Sequence, residues 1–207
     1  MSKLRHFLDI DRLDLSSLRS ILKQAALFKD GQNGKETIFK GKTLVMMFEK
    51  PSTRTRVSFE VGMQQLGGNV IAMNEKDSQL GRGETIADTS RVLSRSANII
   101  MLRTDAHQKL LDLANFSLIP VINGLTDESH PCQIMADILT FEEHRGSIEG
   151  KSIAWVGDGN NVAASWLHAS VRLGFEFRIA TPPALALNKK QVEWAKREGG
   201  NVTVCPD

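Results

Sequence analysis

Short apolar runs alternate along the chain with stretches whose apolar residues recur every three or four positions. The runs are Thr43–Phe48, Asn69–Met73, Asn98–Leu102, Ile119–Ile122, Ser152–Val156, Phe175–Ala180 and Asn201–Val204. Each is rich in Val, Ile, Leu or Met and bounded by polar residues or glycine. That is the signature of strands buried on both faces of a parallel sheet. The periodic stretches predict helices over Leu15–Phe28, Arg54–Leu66, Glu84–Ser94, Cys132–His144 and Asn161–Leu173. Gly67-Gly68 stops the second of these and Gly174 caps the last. Strand and helix in alternation predict an α/β fold with right-handed crossovers and parallel sheets.

The polar, glycine-flanked stretch Gly146-Ser147-Ile148-Glu149-Gly150 follows a long helix and precedes a fresh strand. It divides the chain into a first domain over 1–131, a connecting helix over 132–146 and a second domain over 147–207. With only three strand candidates the second domain is thin for a doubly wound sheet, and it is expected to be incomplete. Composition narrows the class rather than the chemistry. The 26 basic and 24 acidic residues nearly cancel, giving a formal charge of +2. This argues against nucleic acid or an acidic membrane surface as the main partner, and leaves room for a small anion. No run approaches the length of a membrane span. The first 14 residues, charged throughout, have no apolar segment of signal-peptide length. Cys132 and Cys205 show no zinc spacing and are expected to be free thiols, with a cytoplasmic location.

Candidate chemistry gathers where strands give way to helices. Phe48-Glu49-Lys50-Pro51-Ser52-Thr53-Arg54-Thr55-Arg56 places three hydroxyls and two guanidiniums in five residues at such a junction. Ser52 or Thr53 suits the N-cap, and the free N–H groups of the first turn favour an anion. Arg54 offers a bidentate fork to phosphate. A capped helix with solvated arginines is the plainer alternative. A second junction, Asn123 to Gln133, carries His130 and Gln133 three positions apart around Pro131 and Cys132, and a capped helix start explains it equally well. Arg103 ends a strand, where parallel sheets bind ligands, although a surface ion pair would also account for it. Gln79 sits in a polar loop with no chemical claim of its own. Gly157-Asp158-Gly159 is half of a dinucleotide fingerprint. Val162 replaces its third glycine, and Thr181-Pro182-Pro183 stands where a ribose-binding acid is expected. A tight turn presenting Asn160 or Asn161 to a cleft fits better than a nicotinamide-dependent dehydrogenase.

Ser52-Thr53-Arg54-Thr55-Arg56 resembles the carbamoyl-phosphate motif of the aspartate and ornithine carbamoyltransferases, and His130-Pro131-Cys132-Gln133 resembles the family's second motif in its ornithine-type form. Ser78 to Glu84 and Gly157 to Asn161 are likewise similar to the ornithine branch. The aspartate branch has a lysine near position 80 and a threonine in place of Cys132. The resemblance runs from Arg5 to Pro206 and implies two Rossmann-like domains, with the carbamoyl group of carbamoyl phosphate transferred to the δ-amine of L-ornithine, giving L-citrulline and phosphate.

Residue by residue, the resemblance gives Ser52, Thr53, Arg54 and Thr55 to the phosphate, and Gln79 to the same ligand. It gives Arg103, His130 and Thr55 to the carbamoyl oxygen, as the catalytic group. Gln133 goes to the carbamoyl amine, with Pro131 and Cys132 lining the same ligand, and Asn161 goes to ornithine. It implies no metal or organic cofactor, a homotrimer or an assembly of trimers, and a role in arginine biosynthesis. Two family segments, a Ser-Met-Gly loop and a His-Cys-Leu-Pro segment, do not occur in the sequence. The chain therefore reads as cut within its second domain, with negligible turnover expected from these residues alone. Putrescine and aspartate are the competing amines, and a non-catalytic anion-binding module is the competing class.

Overall fold

A computed structural model describes residues 4–31, 38–74 and 83–206. The chain forms two compact units, one of residues 1–8 and 27–126, the other of residues 9–26 and 127–207. This differs from the division read from the sequence. The helix at 131–145 and the segment at 9–26 belong to the second unit, because the former packs on the helix at 161–173 and so does the turn at 10–12.

The first unit is a four-stranded parallel sheet, β1 (Thr43–Phe48), β2 (Asn69–Asn74), β3 (Ile99–Arg103) and β4 (Val121–Leu125), in the order β2-β1-β3-β4. Its helices are α2 (Thr53–Gln65), α3 (Ile86–Ser96) and α4 (His107–Phe116). The alternation of side chains along β1 sorts the core into two faces. Val45 and Met47 pack with Ile100, Leu102, Leu110, Leu113 and Val121. Leu44, Met46 and Phe48 pack with Met63 and Met101 on the other face. Beside β4 the N-terminal segment adds a parallel bridge, in which Phe7 N–H donates to Val121 C=O at 2.8 Å and Asn123 N–H donates to Phe7 C=O at 2.8 Å. The chain steps outward from β1 to β2 and then returns to the opposite side of β1 as β3. That reversal opens a crevice at the carboxyl ends of β1 and β3, the place where open α/β sheets bind ligands.

The second unit holds α1 (Leu15–Lys29) as far as residue 26, then α5 (Pro131–Arg145), β5 (Ser152–Val156), α6 (Asn161–Leu173), β6 (Glu176–Ala180), α7 (Lys189–Arg197) and β7 (Val202–Cys205). Its strands form a parallel sheet in the order β5-β6-β7. Trp166 packs edge-on to Phe175, with ring centres 5.9 Å apart. Arg19 of α1 pairs with Glu142 of α5 at 2.6 Å.

All seven strands lie where the apolar runs predict, within two or three residues, and the sheets are parallel as expected. Burial on both faces holds for β1 and β3 but not for β2, β5 or β7, which alternate or lie at an edge. Helices α4 and α7 join the five expected. Among the described residues no helix is long and apolar enough to cross a membrane.

Candidate functional site

The reversal in strand order brings two sequence-predicted segments to one edge of the first unit. Phe48 and Arg103 are register partners at the ends of β1 and β3, and Glu49 N–H donates to Arg103 C=O at 2.9 Å. From there the chain needs only Lys50 and Pro51 to reach Ser52, the N-cap of α2. Ser52 Oγ accepts from Thr55 N–H at 3.3 Å, which settles the choice between Ser52 and Thr53 as the cap. The remaining first-turn N–H groups and the positive end of the helix dipole face the same edge. Thr53 and Arg54 are exposed, while Ser52 and Thr55 are half-buried.

Arg103 Nη1 donates to Thr55 Oγ1 at 3.4 Å, joining the two segments. Its Nε is buried and has no hydrogen-bond partner among the described residues. Burial, and after it the neighbouring charge of Arg54, lowers the pKa of Arg103. Among the described residues no carboxylate pairs with either guanidinium, so two like charges stand side by side at this edge. The next arginine, Arg56, is turned elsewhere, with its Nε 3.8 Å from Glu60 Oε2. Gln79 lies outside the described residues.

In the second unit His130 is the residue before α5, and Pro131 is at the first helical position, where its missing N–H goes unneeded. His130 N–H donates to Ser165 Oγ at 2.7 Å, and Ser165 Oγ donates to Asn161 C=O at 2.9 Å. A fully buried serine thus ties the turn bearing His130 to the first turn of α6. Ser165 was invisible in the sequence because it sits inside an ordinary amphipathic helix, 35 positions from the group it holds. Gln133 is exposed, and its Nε2 donates to Asp137 Oδ1 at 2.8 Å. Cys132 and Cys205 form no disulfide, and burial pushes the Cys132 thiol up to about 12, so it stays protonated.

The turn after β5 resolves the remaining ambiguity. Asn160 Oδ1 caps α6, accepting from Val162 N–H at 2.9 Å and Ala163 N–H at 3.2 Å. Its side-chain oxygen is committed to the cap, and Asn161 is the first residue of the helix behind it. A Cβ at Gly159 would lie 2.5 Å from Leu187 N and 2.7 Å from Leu185 O. In a dinucleotide fold the second glycine lets the backbone approach a pyrophosphate. Here that closeness is taken up by the chain itself, which removes the support for a nicotinamide cofactor.

With this geometry in hand, comparison with known proteins gives a consistent result. An ornithine carbamoyltransferase of Rhodopseudomonas palustris is 54% identical over 98% of this chain and 67% of its own length. The structure of the ornithine carbamoyltransferase from Pyrococcus furiosus matches with a TM-score of 0.91 and 46% identity, over 97% of this chain and 66% of that one. An N-acetyl-L-ornithine transcarbamylase variant, solved with carbamyl phosphate and N-succinyl-L-norvaline, matches at a TM-score of 0.87 and 32% identity, over 99% of this chain and 71% of that one. The chain thus spans about two thirds of the length of the relatives it matches. The carbamoyl-P binding domain of the aspartate/ornithine carbamoyltransferases matches residues 5–143 and their Asp/Orn binding domain matches residues 149–207, so the chain belongs to the aspartate/ornithine carbamoyltransferase family.

Proposed function

We propose that the protein binds carbamoyl phosphate and transfers its carbamoyl group to the δ-amine of L-ornithine, giving L-citrulline and phosphate. The observation that carries this reading is the pair Arg54, in the first turn of α2, and Arg103, at the end of β3 and bonded to Thr55, with no carboxylate paired to either among the described residues. In this reading Ser52, Thr53, Arg54 and Thr55 hold the phosphate, with Gln79 contributing to the same ligand. Arg103, Thr55 and His130 donate to the carbamoyl oxygen. Gln133 accepts from the carbamoyl amine, beside Pro131 and Cys132, and Asn161 holds the amino-acid end of ornithine. The relatives named for ornithine favour that amine over putrescine and aspartate.

The chemistry follows from these roles. The neutral δ-amine attacks the carbamoyl carbon, a C–N bond forms, and the carbonyl oxygen takes up negative charge. Arg103, Thr55 and His130 stabilise that oxyanion, where removal of one donor costs about 10²–10³ in rate. The C–O bond to phosphate then breaks. Phosphate leaves with the bonding electrons, held by Arg54 and the helix dipole, and can accept the proton that the amine sheds. We extend the reading to arginine biosynthesis, to the cytoplasm and to a homotrimer or assembly of trimers. It rests there on the family resemblance, and sedimentation would check the assembly.

Calorimetric titration with carbamoyl phosphate, with inorganic phosphate as control, tests the binding step. Arg54→Ala should weaken both ligands about 10- to 100-fold, the loss expected for charge-assisted hydrogen bonds. Unchanged affinity in that variant would remove the assignment. Carbamoylation of ornithine compared with putrescine and aspartate, measured in the full-length protein, then tests the amine.

A further inference from the structure

We propose that Glu49 is a positioning residue for the anion site, holding the turn that bears Arg54 and the strand end that bears Arg103 in one fixed arrangement. The inference rests on the reading of that site as one for carbamoyl phosphate. Glu49 is the first residue past β1, three before the Ser52 cap. Its backbone N–H is bonded to Arg103 C=O. Its carboxylate accepts from Thr104 Oγ1, on the residue next to Arg103, and from Lys109 Nζ at 2.9 Å. Thr104 is fully buried, and its N–H donates to Leu125 C=O at 3.0 Å, which anchors it to β4. Lys109 stands in the first turns of α4 and also lies 3.6 Å from Asp105 Oδ1. One carboxylate therefore joins the ends of β1 and β3 to α4.

Two physical consequences bear on the site. The distance between the Arg54 and Arg103 guanidiniums is set by how the two strand ends sit, and Glu49 is the side chain that bridges those ends. Arg54 and Arg103 also repel each other, so an untethered β1–α2 turn would relax away from β3 when no anion is bound. The Glu49 side chain is only 19% exposed, so its charge is screened less by solvent than that of a surface pair. Lys109 and Thr104 also engage this carboxylate, which keeps it from pairing with Arg103 and filling the anion site itself. The hydrogen bond that Lys109 donates to Glu49, helped by the charges of Glu49 and Asp105, outweighs burial and raises the pKa of Lys109.

The test is calorimetric binding of carbamoyl phosphate to the wild-type protein and to Arg54→Ala, Glu49→Gln, Lys109→Met and the double variant. Circular dichroism and the thermal midpoint would report whether each folds. Glu49→Gln and Lys109→Met should each weaken binding about tenfold, and the double variant should be no weaker than the worse single, because both act through one contact. The charge swap Glu49→Lys with Lys109→Glu should recover part of the affinity, which a general loss of stability would not. If the wild type binds, Arg54→Ala does not, and folded Glu49→Gln binds as wild type does, the positioning role is wrong and the site stands. If Lys109→Met alone binds normally, the tether is wrong as drawn. If the folded wild type does not bind, the site and the role of Glu49 fall together.

Discussion

The ion pair between His168 and Asp9 shows what single residues contribute to the second unit. Both side chains are buried, with His168 Nδ1 3.2 Å from Asp9 Oδ1. Asp9 also accepts from Ile10 N–H at 2.7 Å. Around the pair stand Trp194, edge-on to the His168 ring at 5.1 Å, and Arg172, which donates to Asp11 C=O at 3.0 and 2.6 Å and pairs with Glu198 at 3.1 Å. Burial opposes the charge on His168, but the Asp9 hydrogen bond and charge outweigh it, so its pKa lies above the ordinary 6.5. Burial likewise works against Asp9, and the His168 contact and the Ile10 N–H bring it below 3.8. The contribution of His168 is thus fully present below pH 6.5 and fades as pH rises through its raised folded value. That of Asp9 is present above pH 3.8 and fades as pH falls through its lowered value. Burial and then the Asp9 charge raise the pKa of Asp11, which acts in the opposite sense and blunts the acidic end of the window. Breaking a buried pair costs about 3–5 kcal/mol. His168→Gln should therefore lose about that much in urea unfolding near pH 5.5 and distinctly less near pH 9. A deficit that stays equal at both pH values would show that the pair is not what holds Asp9 in place.

At the scale of elements, the parts legible in the sequence are those whose signals are local. The apolar run Thr43–Phe48 is β1, and the Ser-Thr-Arg-Thr-Arg junction is a capped helix start, because a few adjacent residues carry each signal. Arg103 was legible as the end of a strand, and it is the last residue of β3. Helix α4 went unread because Ala106 precedes it with no side-chain cap, and α7 because Ala195 is its one buried residue. The strand read at Ile119–Ile122 runs over Val121–Leu125 instead. Pro120 has no N–H for the ladder, and Asn123-Gly124, read as loop, continues the strand because Gly124 meets β3 closely. Glu49 and Ser165 were hidden for a different reason, since their partners lie 55 to 60 and 35 positions away. Gly159 belongs to this class too. A Cβ there would come within 2.9 Å of three backbone atoms of the Leu185–Leu187 segment, none of which can swing aside. Gly159→Ala should lower the stability of the second unit by about 1–3 kcal/mol or more, read as a drop in its thermal midpoint. A midpoint within experimental error of wild type would mean that the turn after β5 shifts freely, and the packing argument against a cofactor in that turn would lose its force.

At the scale of the whole molecule, a formal charge of +2 provides no general field for an anion, so any affinity must be local. A ligand that binds only the native state stabilises it by about 2.7 kcal/mol at one hundred times its dissociation constant. Hydrogen exchange reads that gain within the cooperative unit that makes the contacts. Ser52, Thr53, Arg54, Thr55 and Arg103 all belong to the first compact unit. Inorganic phosphate should therefore slow exchange in β1, the first turn of α2 and β3, and leave α6 and β6 at their unliganded rates. Carbamoyl phosphate carries the same phosphate plus the group assigned to His130 and Gln133, which belong to the second unit. It should protect the first unit in the same way and, in addition, slow the amides of Cys132 to Met135 at the start of α5. The difference between the two ligands isolates the carbamoyl group. Identical patterns from both would leave the phosphate site intact and remove His130 and Gln133 from the reaction. Extra protection confined to the first turn of α5 would support His130 and Gln133 as the residues that meet the carbamoyl group.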